Sequence, residues 1–229
     1  MFEFKEASQD KSAHGIYEDI KDYLKEDGFP LPIITDNCAT MVNLTKYSSH
    51  VFKIFCLEHK LSRIEIKLHK NLFFKRIDDK LTLINAYFSY RHGKYELNLK
   101  PLTSFSNTRP WRSNKLNYKT FIANYDSYIQ ISKIESNFPD IPLLNQVEIL
   151  YNFEIDFCKN FDILEKRSSD LLDGISVYFN LIALSRNSDY QHLDFEKIIV
   201  DELYPIVFSP IACCYYYLSR VNFISNSNL

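Results

Sequence analysis

The 229-residue sequence predicts an α+β fold, an antiparallel meander of about five strands followed by a C-terminal bundle of about four helices. Three observations predict it. The apolar spacing shortens from about 3.6 to about 2 over residues 50–100. Turn-like clusters in that stretch are short enough for hairpins, and from residue 118 onward the helical spacing returns. Strands and helices segregated along one chain build α+β architectures.

Residues 13–27 place Ile16, Ile20, Tyr23 and Leu24 on one stripe and end at Gly28-Phe29-Pro30, a short amphipathic helix. Residues 29–37, with two prolines, read as an extended connector. Strands are expected near 51–57, 62–69, 72–77, 81–90 and 94–100. The clearest is Arg63-Ile64-Glu65-Ile66-Lys67-Leu68-His69, where Ile64, Ile66 and Leu68 face one way and Glu65, Lys67 and His69 the other. Asp78-Asp79-Lys80 and Arg91-His92-Gly93-Lys94 read as hairpin turns, with Gly93 supplying a positive φ. Residues 101–117 are rich in Ser, Thr, Asn and Pro and carry Trp111 between Arg109-Pro110 and Arg112. They read as a long basic loop, and such loops are often functional. Helices are expected near 118–136, 143–166, 169–186 and 193–222. Pro139 and Pro142 separate the first two, Asp194 caps the last, and Pro205 and Pro210 kink it. The organisation is then an N-terminal helix, basic sheet and loop over 1–117, with an acidic and apolar bundle over 118–229 packed against it.

Composition excludes several classes. The four glycines, Gly15, Gly28, Gly93 and Gly174, cannot write a P-loop, a G-x-G-x-x-G turn or a G-x-S-x-G elbow. Five cysteines without C-x-x-C spacing indicate neither a disulfide framework nor a zinc ribbon. The start Met1-Phe2-Glu3-Phe4-Lys5-Glu6 has no basic-then-apolar pattern, so a cytoplasmic setting is expected. Leu203–Ser219 is uncharged, but it is short for a membrane span and holds two prolines, so a core helix is expected.

Charge is segregated. Residues 51–119 hold fifteen Lys and Arg against five Asp and Glu, while both flanks are acidic. Basic residues interleaved with Tyr87, Tyr90, Tyr95 and Trp111 suit phosphates and unpaired bases. The expected function is therefore binding of an anionic polymer, most simply nucleic acid. Arg109, Trp111, Arg112, Lys115, Lys67, His69, Arg91 and Lys94 form the expected surface. The first alternative is a protein–protein interaction module (adaptor, inhibitor or assembly subunit) that meets an acidic partner surface or a second copy.

A second alternative is catalytic. A strand bearing Glu65-Ile66-Lys67 resembles the PD-(D/E)XK nucleases. That resemblance implies carboxylates holding Mg²⁺, with Asp36 or Glu58 as the upstream acid and Lys67 orienting water. No cofactor is expected otherwise. Two further acids stand in apolar surroundings. Glu154 has Leu150, Tyr151, Phe157 and Cys158 at helical neighbour positions, and Glu202 has Ile198, Ile199 and Ile206. Both are expected to sit at the edge of the apolar stripe and reach water or an arginine.

Overall fold

The computed structural model describes residues 12–21, 31–35, 43, 46–47, 51–89, 99–103, 110–166, 170–210 and 212–213. The chain forms two compact units, Met1–Lys60 and Leu61–Leu229.

In the first unit, α1 (Ala13–Ile20) begins where the Ser12 hydroxyl accepts from Gly15 N at 3.1 Å, satisfying one of the donors a helix start leaves open. Two short strands follow, β1 (Leu31–Thr35) and β2 (Val51–Phe55). They pair in parallel, Leu31 opposite Val51 and Thr35 opposite Phe55. Tyr47 packs its ring against His14 and Tyr17 of α1.

The expected antiparallel meander is not formed. Residue 51 does open a strand, but its partner is β1, in parallel register. The segments expected as strands at 62–69, 72–77 and 81–90 are instead α2 (Leu57–Leu68) and α3 (Leu72–Ser89). The reason lies in which residues the fold buries. In α2 these are Leu61, Ile64, Glu65 and Leu68, the i, i+3, i+4, i+7 stripe of one helix face. Ile66, which completes the apparent alternation, is left 37 % exposed. In α3 the buried residues are Phe74, Ile77, Leu81 and Ile84, again a helical stripe. Asp78-Asp79-Lys80 lies inside α3 rather than at a turn. Asn71 starts that helix, its Oδ1 accepting from Phe73 N at 2.9 Å.

The expected loop 101–117 is largely helix as well. α4 (Pro110–Ile134) opens on Pro110, which suits a first helical turn because its missing N–H has no partner to lose there. Strand 94–100 and the Arg91–Lys94 turn lie mostly outside the described residues. The helices expected further on are α5 (Leu144–Leu164), α6 (Leu171–Ser185) and α7 (Glu196–Val207). Asp170 caps α6 through a reciprocal box with Asp173. Asp194 does not cap α7. It ends a 3₁₀ turn (Gln191–Leu193) at φ 44°, a left-handed conformation Asp tolerates better than most residues, and Phe195 precedes the helix. Pro205 lies within α7. No helix among the described residues is long and apolar enough to cross a membrane.

α5 is the axis of the second unit, with α4 on one side and α6 on the other, and α7 packs on α6. On its inner face Phe153 stacks on Phe157, which meets Phe161 edge-on. Phe74 of α3, Tyr190 and Phe195 meet Phe153 edge-on at 5.2–5.6 Å. Each such ring pair adds about 0.5–1.5 kcal/mol beyond area burial, so this aromatic wall fixes α5 against α3 and the turn before α7. α4 contributes a more polar face. Its buried Asn117 accepts from Thr103 N and Oγ1, and Asn124 donates to the Lys100 carbonyl, which ties residues 99–103 to the helix.

Candidate metal centre

Four helices deliver side chains to one buried point in the second unit. Glu65 comes from the inner stripe of α2, and His69 follows one turn later. The His69 amide still bonds to the Glu65 carbonyl at 3.0 Å, so the two side chains rise on one face. Glu154 comes from the middle of α5, Asp78 from α3, and Asn114 and Tyr118 from α4. Glu65 and Glu154 are wholly buried, whereas His69 and Asp78 keep 15 % of their side chains exposed.

The contacts form a chain. Asp78 Oδ2 lies 2.6 Å from His69 Nδ1, and Asp78 Oδ1 accepts from the Tyr118 hydroxyl at 2.7 Å. On the other side of the imidazole, Nε2 lies 3.1 Å from Glu154 Oε1 and 2.8 Å from Asn114 Nδ2. The same Asn114 nitrogen donates to Glu65 Oε1 at 3.0 Å. Glu154 Oε2 is buried with no hydrogen-bond partner among the described residues. One ligand atom each of Glu65, His69 and Glu154 lie within 4.8 Å of one another.

The electrostatics are those of an overcrowded site. Burial pushes the Glu154 carboxyl up, the Asp78 charge adds to this, and His69 opposes both. Burial alone would lower His69, but the hydrogen bonds and charges of Asp78 and Glu154 outweigh it and push the imidazole up to about 10. Tyr118 is held well above its ordinary value by burial and by the Asp78 charge. With the Asn114 amide in this orientation, no proton placement on His69 satisfies every contact. An imidazolium sets Nε2–H against the Asn114 amide hydrogens at 2.8 Å, donor against donor. A neutral ring with its proton on Nδ1 accepts from Asn114 but leaves Glu65 and Glu154 without a balancing charge. Where both are ionised, two carboxylates within 4.8 Å of each other repel by about 3 kcal/mol or more at an effective dielectric constant near 20.

Of the expected surface residues, the side chains of Lys67, His69 and Lys115 are described, and they do not share one face. Lys67 turns outward from α2 and pairs with Glu202, which Arg63 also reaches at 3.3 Å. His69 points into the core. Lys115 is exposed on α4, beside Lys119 at a cleft of about 380 Å³ that Asp162 and Glu165 also line. Trp111 and Arg112 belong to the first turn of α4, and their side chains lie outside the described part. Arg91, Lys94 and Arg109 lie outside the described residues, as does Asp36. Glu58 opens α2. Among the described residues the basic sheet expected to bind nucleic acid is not formed, and Lys80 is paired, with Asp140 at 2.5 Å. The strand geometry of the Glu65–Lys67 nuclease reading is absent too. Two residues apart on a helix, these side chains point to opposite sides.

Glu202 behaves as expected for an acid at a stripe edge that finds an arginine. Glu154 does not, because it is fully interior. Asp78 and Asn114 were invisible as partners, lying in an apparent turn and an apparent loop, and Tyr118 stood at the start of an expected helix with nothing to mark it. The available signal was Glu154 itself, with the Glu65-x-x-x-His69 spacing read at helical rather than strand period. No protein-family model and no curated protein matches this chain.

Proposed function

We propose that the protein is a divalent-metal-binding helical protein, its ion held by Glu65, His69 and Glu154. The carrying observation is the convergence of these three ligand atoms within 4.8 Å inside the core, with a carboxylate on the far nitrogen of the histidine. A carboxylate on Nδ1 fixes the tautomer that leaves the Nε2 lone pair for a metal, an arrangement that recurs around metal-bound imidazoles. Two carboxylates and a neutral imidazole balance a dication, and the ion replaces like-charge repulsion with attraction. One nitrogen and otherwise oxygen donors suit Zn²⁺, Mn²⁺ or Fe²⁺ better than soft ions. Complete burial of Glu65 and Glu154 supports a structural ion that ties α2 to α5 rather than one open to a large substrate.

The test is calorimetric titration of chelator-treated protein with Zn²⁺ and Mn²⁺, beside the variants His69→Ala and Glu154→Gln. The wild type should take up one equivalent per chain, with the variants at least about 10-fold weaker. Absence of uptake by the wild type, or equal uptake by both variants, defeats the proposal.

The interaction-module reading draws support from a different feature. Phe179, Tyr204 and Phe208 are 56 %, 51 % and 37 % exposed, and their rings meet Tyr178 edge-on or tilted where α6 lies against the end of α7. In its self-pairing form it predicts a mass that grows with concentration in light scattering, and a monomer throughout removes that form.

A further inference from the structure

Asn114 touches two of the proposed ligands, Glu65 and His69. It is only 2 % exposed. Its two polar ends are served unequally. Nδ2 contacts Glu65 Oε1 at 3.0 Å and His69 Nε2 at 2.8 Å. Among the described residues, Oδ1 meets the Ser113 hydroxyl at 3.5 Å, the limit of a hydrogen bond. The terminal torsion of an asparagine is close to two-fold, so exchanging its oxygen and nitrogen leaves its shape and packing unchanged.

After such an exchange Oδ1 would stand where Nδ2 stands. Glu65 Oε1, Asn114 Oδ1, His69 Nε2 and Glu154 Oε1 would then follow one another at 3.0, 2.8 and 3.1 Å. Donor atoms bound at about 2.1 Å to one octahedral or tetrahedral cation lie roughly 2.9–3.4 Å apart. The observed spacings are close to that range. Four electron-rich atoms so near each other repel unless a positive charge lies between them. The amide therefore has a good position in either case: its hydrogens bridge Glu65 and His69 without the ion, and its oxygen completes the donor set with it.

The geometry points to Asn114 as the fourth metal ligand, its side-chain amide turning over when the ion binds. This rests on the reading of Glu65, His69 and Glu154 as a metal site. It makes the set three oxygens and one nitrogen, drawn from α2, α4 and α5.

Two variants of the full chain test it. Asn114→Leu removes the oxygen while keeping the volume, and Asn114→Asp places a charged oxygen at the same position. Zn²⁺ titration should show binding about 10- to 100-fold weaker in Asn114→Leu and tighter than wild type in Asn114→Asp. X-ray absorption of the zinc-loaded proteins should show one fewer oxygen neighbour in Asn114→Leu. Wild-type affinity and coordination number in Asn114→Leu overturn the inference and leave the three-residue site standing. If Asn114→Leu does not fold, Asn114→Asp decides, and unchanged or weaker zinc affinity overturns the inference. A wild type that binds no metal removes both this inference and the reading beneath it.

Discussion

Burial changes the chemistry of single residues in the second unit, and Cys158 shows it most simply. It sits one helical turn after Glu154 on α5, with 8 % of its surface exposed. Burial, and then the nearby Glu154 charge, push its thiol up to about 12. At pH 8 only about one molecule in ten thousand then carries the reactive thiolate. Cys213, by contrast, is exposed. Iodoacetamide at pH 8, with modified sites mapped by mass spectrometry, should alkylate Cys158 at least about 10-fold more slowly than Cys213. Comparable rates would show that Cys158 is neither shielded nor raised. The same burial that quiets this thiol makes Glu154, one turn away, a poor place for an uncompensated charge and a good one for a cation's ligand.

At the scale of elements, charge joins consecutive helices at their exposed ends. Arg186, just past α6, binds the Glu196 carboxylate with two donors at 2.9 and 2.6 Å, in the first turn of α7. The Arg186 hydrogen bonds hold the Glu196 carboxyl below its ordinary value. A lowered carboxyl favours the folded state above its unfolded pKa, and that contribution fades as pH falls through the lowered folded value. Glu196→Gln should therefore reduce the denaturation midpoint slightly at pH 7 and not at all at pH 2–3. A difference that persists undiminished into acid would assign the effect to packing instead. α5 and α6 were the most legible elements, expected over 143–166 and 169–186 and found at Leu144–Leu164 and Leu171–Ser185. Their 3.6 spacing declares both, whereas within the span expected as one helix over 193–222 α7 closes at Val207, just after Pro205. α2 was not legible as a helix, because Glu65 and His69 occupy places where a simple amphipathic helix carries apolar residues. Removing those two from the apolar count left Ile64, Ile66 and Leu68, an alternation that mimics a strand. α4 was hidden for a related reason. Asn114, Asn117, Thr120 and Asn124 lie on its buried face, so its first turns resemble a polar loop. The candidate site and the misread fold thus have one cause, polar residues placed at core positions.

For the whole molecule, the proposed ion between α2 and α5 would add its binding energy to folding, since the unfolded chain does not hold the three ligands together. At a cation concentration about 100 times the dissociation constant, the gain is about 2.7 kcal/mol. Differential scanning fluorimetry with and without Zn²⁺ should show a rise of about 5–10 °C in the wild type and little in Glu154→Gln. Equal shifts in both proteins would place the ion elsewhere on the chain. The aromatic wall of Phe74, Phe153, Phe157 and Phe195 makes this coupling global. It packs α3 and the turn before α7 onto the same stretch of α5 that carries Glu154.

α2 presents acid toward the interior and base toward the rim, where Arg63 and Lys67 grip Glu202 of α7. A rod charged this way has one permitted azimuth. Rolling it by a single residue, about 100°, would swing an ammonium group toward hydrocarbon and a carboxylate toward solvent. The rim pairs therefore act as a rotational stop. They hold Glu65 and His69 at the angle their inward contacts require.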